Sequence, residues 1–268
     1  MLPLNELPAS ALAAVQGVFT DIDDTLTTEG KLPAAAYAAL ERLREAGVKV
    51  VPITGRPAGW CDHIARMWPV DAVVGENGAF YFHYDSAARK LRQRFLADAE
   101  TRAGNAKRLS QVAGRILAEV PGCALASDQF CRAADIAIDF CEDVAPLPRP
   151  AIEKIVALMR ESGMTAKVSS IHVNGWFGEY DKLSMTRTLM GELYGVDLDA
   201  ARRDYVFVGD SPNDEPMFRY FPYSVGVANV RDFADDLRHP PAYVSRARCG
   251  AGFVEVAQRI LEAKGVSA

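Results

Sequence analysis

Two aspartates separated by a single residue follow a short apolar run near the start of the chain. Residues 17–27 read Gly-Val-Phe-Thr-Asp-Ile-Asp-Asp-Thr-Leu-Thr, so only Thr20 separates the apolar pair Val18-Phe19 from Asp21, and Asp23 follows two residues later. An apolar run that stops at polar residues is typical of a buried strand in a parallel sheet. Neighbouring carboxylates repel each other, and Mg²⁺, which prefers oxygen ligands, relieves that repulsion. The pattern predicts a carboxylate site that holds Mg²⁺ where the strand ends.

Two more apolar runs end in polar residues. Residues 48–53 are followed by Thr54, Gly55 and Arg56, and residues 205–208 are followed by the sequence Gly-Asp-Ser-Pro-Asn-Asp, positions 209–214. Parallel strands of one sheet present their carboxyl ends at one edge, where open α/β sheets bind ligands. We therefore expect the polar groups of the three runs to meet there.

A lysine occupies the first turn of a predicted helix over residues 182–194. Asp181 precedes it as a candidate cap, and Gly195 follows as a stop. A cation in the first turn is mildly disfavoured by the helix dipole, so Lys182 indicates an anion nearby. Free N–H groups at a helix start also suit a phosphate.

Taken in order, these stretches resemble the four motifs of the haloacid dehalogenase-like phosphohydrolases. The first motif is Asp-Ile-Asp-Asp-Thr-Leu-Thr, the second is Val-Val-Pro-Ile-Thr-Gly-Arg, the third is Asp181-Lys182, and the fourth is Gly-Asp-Ser-Pro-Asn-Asp. Between the second and third motifs lies a long insertion. That arrangement resembles the subgroup with a large α+β cap, which includes Cof-type, sucrose-phosphatase-like and mannosyl-phosphoglycerate-phosphatase-like enzymes.

The resemblance implies a role for each matching residue. Asp21 is the nucleophile that forms an aspartyl-phosphate, and Asp23 is the general acid and base. Thr54 and Lys182 hold the phosphate. The expected Mg²⁺ ligands are Asp21, the backbone carbonyl of Asp23, Asp210 and, through water, Asp214. The remaining expected substrate-binding residues are Gly55, Arg56, Asn77 and Asn213.

Simpler interpretations stay open for individual residues. Thr54 alone is an ordinary strand-end residue, Lys182 alone is a solvated lysine, and Asp210 and Asp214 alone are turn and cap residues. Arg56 has two interpretations, contact with the substrate or with a structural carboxylate. These interpretations are reasonable singly and weak jointly, since each would have to hold independently.

The alternation of strands and helices predicts an α/β fold. We expect a Rossmann-like parallel-sheet core with helices on both faces, formed by residues 1–82 and 179–268, and an inserted α+β cap domain over residues 83–178. The predicted helices are 33–46, 60–67, 101–119, 151–162, 182–194, 214–221, 231–238 and 253–264. Besides the three runs above, the predicted strands are 71–74, a hairpin within 79–96, 122–127, 132–140, 164–173 and 224–227. Residues 249–252 are predicted to form a turn.

The cap-side candidates for substrate contact lie just before the chain returns to the core. His172, Asn174 and Trp176 combine polar groups with an aromatic face, a combination that suits sugars. The alternative is that His172 and Trp176 pack at the domain hinge.

The amino-acid composition limits the classes of binding partner and the compartment that we expect. A net charge of −5 gives no reason to expect nucleic acid or an anionic membrane. The five cysteines lack a CxxC pair, which predicts buried free thiols in a reducing compartment. Neither a signal peptide nor a membrane span is evident, so we expect a cytoplasmic monomer or homodimer whose partner is a small phosphorylated molecule.

The predicted function is a Mg²⁺-dependent phosphatase acting on a small phosphorylated metabolite, preferably a sugar phosphate. One alternative is a sugar phosphomutase or phosphotransferase on the same scaffold. Another is a non-catalytic sensor of a phosphorylated ligand, against which the intact set of acids argues.

Overall fold

The structure, a computed structural model, describes residues 1–266. Its strands are β1 (Leu2–Pro3), β2 (Gly17–Thr20), β3 (Lys49–Pro52), β4 (Val73–Gly75), β5 (Phe80–Asp85), β6 (Lys90–Phe95), β7 (Ala124–Leu125), β8 (Asp135–Asp139), β9 (Thr165–Val168), β10 (His172–Trp176), β11 (Tyr205–Gly209), β12 (Ser224–Gly226) and β13 (Tyr243–Val244). Its α-helices are α1 (Ala9–Ala14), α2 (Ala34–Glu45), α3 (Ala58–Met67), α4 (Ala99–Glu119), α5 (Arg149–Glu161), α6 (Lys182–Tyr194), α7 (Leu198–Ala201), α8 (Glu215–Tyr220) and α9 (Cys249–Ala263).

A six-stranded parallel sheet forms the core, in the order β1-β13-β12-β11-β2-β3. A parallel bridge between Ile53 and Val74 links the end of β3 to β4. Every residue of β2 and of β11 is buried, as expected for central strands covered on both faces. The carboxyl ends of β2, β3 and β11 therefore lie side by side.

Helices cover both faces of this sheet, and successive strand residues point to opposite sides. Val18 packs in a cluster with Leu40 of α2 and Phe253 of α9. The next residue, Phe19, packs in a second cluster with Leu189 of α6. This alternation with a period of two anchors β2 from both sides and fixes where its last residue leaves the sheet.

The long insertion contains a four-stranded antiparallel sheet in the order β7-β8-β10-β9. Ile136, Ile138 and Val173 on one face pack with residues of α4 and α5. The opposite face carries His172 and Asn174, which alternate with Val173 along β10. The parallel core and the inserted α+β region confirm the predicted fold class.

The hairpin β5–β6 pairs with β4 in a separate three-stranded antiparallel sheet. It thus extends from a strand next to the core, although it falls mostly within the range predicted for the cap. The division at residues 82/83 and 178/179 stays a prediction.

Three local predictions are wrong. A single strand over 164–173 is replaced by β9 and β10, because the Ser169 hydroxyl accepts hydrogen bonds from the N–H groups of Ile171 and His172 and closes a turn between them. The predicted helix 231–238 is a 3₁₀ segment, Ala228–Phe233, followed by turns. Pro240 lacks an N–H donor and disfavours helical backbone at the residue before it, so a helix cannot continue through this point. The predicted turn 249–252 is the first turn of α9.

Two findings concern the predictions from composition. None of the helices within residues 1–266 is both long and apolar enough to cross a membrane. The five cysteines are free thiols, but only Cys61 is buried and the other four are partly exposed, so their predicted burial is wrong for those four.

Candidate active site

The centre of the site is a buried lysine between two aspartates. Lys182, the first residue of α6, places Nζ 2.6 Å from Oδ1 of Asp21 and 2.7 Å from Oδ1 of Asp214. Asp21 follows β2 directly and Asp214 lies in the 3₁₀ turn after β11, so the two strand ends meet at this cation. The Lys182 side chain is 1% exposed. The interpretation of Lys182 as a solvated surface lysine is excluded.

Local hydrogen bonds fix the helix that carries this lysine. The Asp181 carboxylate accepts from the backbone N–H of Ser184, and the Ser184 hydroxyl is hydrogen-bonded to the backbone of Asp181. This capping box sets the start of α6 and hence the direction in which Lys182 leaves it. Gly78, in the loop after β4, packs tightly against this helix start: a Cβ on Gly78 would lie 2.1 Å from the carbonyl oxygen of Asp181.

Asp210 is held beside this pair by two donors. The Asn229 amide donates to its Oδ2 at 3.1 Å, and the Thr25 hydroxyl donates to its Oδ1 at 3.4 Å. Asn229 also donates to the backbone carbonyl of Asp24 and accepts from the N–H of Cys249. Asn229 therefore ties the loop after β2 to the start of α9, a role that its position 19 residues from Asp210 did not reveal in the sequence.

The three aspartates fit a divalent cation. Asp21, Asp210 and Asp214 are buried, and each offers a carboxylate oxygen within 4.8 Å of the others. Burial raises the pKa of Asp21 to about 8 and raises the pKa of Asp210 well above its ordinary value; Lys182 opposes both shifts. A cluster of hard oxygen donors with only one neighbouring ammonium suits Mg²⁺. Asp214 already accepts from the backbone N–H groups of Asp210 and Ser211 through Oδ2.

Thr54, Gly55 and Asn77 lie together at the end of β3. Thr54 is buried, and its hydroxyl accepts from the N–H of Arg56. Asn77 has a left-handed backbone with φ of 55°, and its buried side-chain amide lacks a hydrogen-bond partner within residues 1–266. A Cβ on Gly55 would lie 3.1 Å from that amide nitrogen, so glycine leaves the amide its space. Unpaired buried polar atoms at this edge suit a polar ligand.

Arg56 is surrounded by carboxylates. Its Nε lies 2.9 Å from Oδ1 of Asp23, and its Nη2 lies 2.7 Å from Oε1 of Glu142, which belongs to the inserted region. Asp128 is a third partner at 3.5 Å, and the Trp60 ring stacks on the guanidinium. Of the two interpretations of Arg56, the structure shows contact with carboxylates.

A second buried arginine joins the inserted region to the core. Arg132 pairs with Asp135 at 3.0 Å and with Asp128 at 3.3 Å, and it donates to the carbonyl oxygen of Gly55. Nearby, the buried Glu76 carboxylate accepts hydrogen bonds from the N–H groups of four residues: Ala58, Ala133, Ala134 and Asp135.

The cap-side candidates differ in position. His172 and Asn174 line a cavity that also reaches Asp21, Asp23, Gly55, Arg56 and Asn213. His172 Nε2 lies 2.9 Å from Oε2 of Glu142, and Asn174 donates to Asp135. Trp176, in contrast, is 1% exposed and stacks on Tyr180, so it is a packing residue.

The predicted residues thus converge on one edge of the sheet. Asp21, Lys182, Asp210 and Asp214 form its floor, with Thr54, Gly55 and Asn77 beside them and Asp23, Arg56 and Asn213 along the wall. The sequence analysis missed Glu142, Asp128, Arg132 and Asn229, because none lies in a recognisable motif. The partner that joins each of them to the site is distant along the chain: Arg56 for Glu142 and Asp128, Gly55 for Arg132, and Asp210 for Asn229. The acidic run Cys-Glu-Asp after the strand 135–139 was the one local signal for Glu142.

Comparisons with known proteins find similar hydrolases. Residues 18–102 match the haloacid dehalogenase-like hydrolase family model. The chain is 28% identical over 244 residues to a phosphoglycolate phosphatase of Pyrobaculum neutrophilum, which covers 90% of this chain and 93% of that protein.

Solved structures share the fold at low sequence identity. The sucrose-phosphatase from Synechocystis sp. PCC6803, solved with sucrose and phosphate, has a TM-score of 0.63 at 16% identity, with 92% of this chain and 98% of that chain covered. The C-terminal domain of the C. albicans trehalose-6-phosphate phosphatase has a TM-score of 0.70 at 14% identity, with 99% and 98% covered.

Proposed function

We propose that this chain, which is similar to the haloacid dehalogenase-like hydrolases and to a phosphoglycolate phosphatase, is a phosphatase that hydrolyses a sugar phosphate through an aspartyl-phosphate on Asp21, with Mg²⁺ as its cofactor. The observation that carries the proposal is the convergence of Asp21, Lys182, Asp210 and Asp214 from three separate parts of the chain. One buried ammonium paired with two carboxylates, with a third buried carboxylate beside them, is a costly arrangement for stability alone.

Each residue has a step that its position supports. An oxygen of Asp21 attacks phosphorus, and the bond from phosphorus to the leaving oxygen breaks. Asp23 gives a proton to the leaving alcohol and later takes one from the water that cleaves the aspartyl-phosphate. Arg56 orients the Asp23 carboxylate by contacting both of its oxygens.

The phosphoryl oxygens need charge stabilisation, because positioning and electrostatics supply most of the catalysis in phosphoryl transfer. Lys182 supplies a fixed positive charge, and the Thr54 hydroxyl and the unpaired Asn77 amide offer hydrogen bonds. Asp21, Asp210, the backbone of Asp23 and, through water, Asp214 would hold Mg²⁺, which when bound neutralises phosphoryl charge.

A sugar as the leaving group is supported by the polar lining of the cavity. Four polar residues of the inserted region line the cavity and offer hydrogen-bond donors and acceptors to sugar hydroxyls: Ser169, Ser170, His172 and Asn174. The names of the sucrose and trehalose phosphatases with the same fold point the same way.

The test is phosphate release from phosphorylated sugars and glycerates, measured with Mg²⁺ and after its removal by a chelator. We expect wild-type turnover to require Mg²⁺ and to fall by roughly four orders of magnitude in Asp21→Asn, since losing a covalent nucleophile leaves only binding and electrostatic effects. Asp235→Asn, at an exposed position, is the matched control and should retain full activity.

The outcomes separate the alternatives. Turnover that survives in Asp21→Asn contradicts the proposal. A phosphomutase would instead interconvert sugar phosphates, depend on a bisphosphate activator and release little phosphate. A sensor would bind ligand equally in the wild type and the variant without turnover.

A further inference from the structure

We propose that Glu142 determines the substrate class by admitting an uncharged, hydroxyl-bearing leaving group and rejecting one that carries a carboxylate. The inference rests on the proposed function, in which Asp23 protonates the leaving oxygen. It deepens that function by assigning selection to a residue outside the motifs.

Glu142 lies close to the place where the leaving group must sit. Arg56 contacts Asp23 through Nε at 2.9 Å and Glu142 through Nη2 at 2.7 Å, so one guanidinium lies between the two carboxylates. A leaving group whose oxygen approaches Asp23 must therefore lie beside this Arg56–Glu142 pair. His172, which lines the cavity, lies 2.9 Å from the other oxygen of Glu142, so Glu142 stands directly behind two lining residues, Arg56 and His172.

The two arginines in the cavity wall are already paired with carboxylates of the protein. Arg56 is occupied by Asp23, Glu142 and Asp128, and Arg132 by Asp128 and Asp135. Two guanidinium groups thus face four carboxylates. Deeper in the site, Lys182 is paired with two aspartates.

Glu142 itself is negatively charged. Its hydrogen bonds with His172 and Arg56 lower its pKa to about 2, so the carboxylate is ionised across the physiological range. A substrate carboxylate at this position would meet a fixed like charge and find the neighbouring arginines already paired. Like charges brought together at a binding surface repel each other and weaken binding. Sugar hydroxyls, in contrast, can donate to the remaining lone pairs of a carboxylate.

Lys167 is the alternative residue that could bind the carboxylate of an anionic substrate. It lies opposite Asn174 in the pairing of β9 with β10, and it lines an open groove with Glu215 and Arg219. Neither Lys167 nor Glu142 is among the described lining residues of the cavity that holds Asp21 and Asp23, but Glu142 contacts two of those lining residues, Arg56 and His172. A substrate carboxylate recognised from that side would depend on Lys167, and the experiment below detects this.

The experiment compares two substrates that differ at one carbon. Glycerol 3-phosphate and 3-phosphoglycerate share skeleton and phosphate position, but the first ends in a hydroxymethyl group and the second in a carboxylate. We expect wild-type kcat/KM to favour glycerol 3-phosphate at least about tenfold, and Glu142→Gln to reduce that ratio by about tenfold, mainly by improving turnover of 3-phosphoglycerate. Glutamine keeps the size of the side chain and one acceptor oxygen for Arg56, and it removes the charge.

The control removes the neighbouring charge. Asp143 is hydrogen-bonded to Ser127 rather than to Arg56, so Asp143→Asn should leave the ratio unchanged. A wild-type preference for 3-phosphoglycerate overturns the inference whether or not the variant folds. An unchanged ratio in folded Glu142→Gln, or a preference for 3-phosphoglycerate that vanishes in Lys167→Met, also overturns it. Failure to release phosphate from either substrate, from sugar phosphates and from p-nitrophenyl phosphate contradicts the proposed function itself.

Discussion

At the scale of single residues, the site concentrates buried charge around Lys182. Desolvation raises the pKa of Asp21 to about 8, and the pKa of Asp210 is raised for the same reason. A carboxyl whose folded-state pKa lies above its ordinary 3.8 binds more protons folded than unfolded between those values. Stability of the metal-free protein from these groups therefore falls as pH rises from about 4 to about 8.

Replacing Lys182 by methionine should make the stability of the metal-free protein depend more steeply on pH. The variant keeps the volume and loses the one ammonium that faces Asp21 and Asp214, so the metal-free protein should lose about 3–5 kcal/mol of unfolding free energy at pH 8 and less at pH 5. Mg²⁺ should restore more stability to the variant than to the wild type. Denaturant unfolding with and without Mg²⁺ measures both effects.

The control for that prediction is Lys31→Met, at an exposed position, which should change stability by no more than about 0.5 kcal/mol. Equal stability of Lys182→Met and wild type at pH 8 would mean that the carboxylates do not need this cation.

Whether the sequence alone predicts a contact between two site residues depends on how far apart they lie along the chain. Asp21 and Asp23 are two apart, and Asp210 and Asp214 four apart, so local patterns placed each pair. The Arg56–Glu142 pair spans 86 residues and two separate sheets. Nothing in either local pattern specifies that contact, so only the folded structure reveals it.

At the scale of elements, the site depends on where strands and helices end. The range of α6 agrees with its prediction at both ends, because Asp181 and Gly195 are strong start and stop residues. The strand predicted over 164–173 failed, because the Ser169 side chain makes a turn that apolar periodicity does not register.

The junction between the loop after β4 and the start of α6 gives a prediction at this scale. Gly78 has φ of 112°, and a Cβ there would lie 2.1 Å from the carbonyl oxygen of Asp181. Gly78→Ala should therefore lower the free energy of unfolding by about 1–3 kcal/mol. It should also lower kcat by shifting Lys182, which follows Asp181.

Gly114→Ala is the matched control. Gly114 lies inside α4 with nothing within 4 Å of an added Cβ. Alanine should therefore stabilise the helix by about 0.5–1 kcal/mol and leave kcat unchanged. Thermal unfolding together with steady-state kinetics on both variants tests the pair. A Gly78→Ala protein as stable and active as wild type would show that the junction has room to adjust.

At the scale of the whole molecule, the inserted region closes one side of the site. Glu142 reaches Arg56, Arg132 reaches the carbonyl of Gly55, and Glu76 accepts from the N–H groups of Ala133 and Ala134. The α/β class followed from alternating strands and helices, which few topologies satisfy. The contacts across the two regions did not, because they depend on the relative placement of two separately formed sheets.

Asp21 is the proposed acceptor of the phosphoryl group. The most direct measurement is acid quench of the Mg²⁺-loaded enzyme during turnover of its best sugar phosphate, followed by mass spectrometry of the peptide that contains Asp21. Asp23→Asn, which lacks the base for the second step, should carry more of the intermediate than wild type when the substrate is p-nitrophenyl phosphate, whose leaving group needs no protonation. We predict one added phosphoryl group on Asp21 and none in Asp21→Asn. Turnover with an unmodified Asp21 in both wild type and Asp23→Asn would contradict the account.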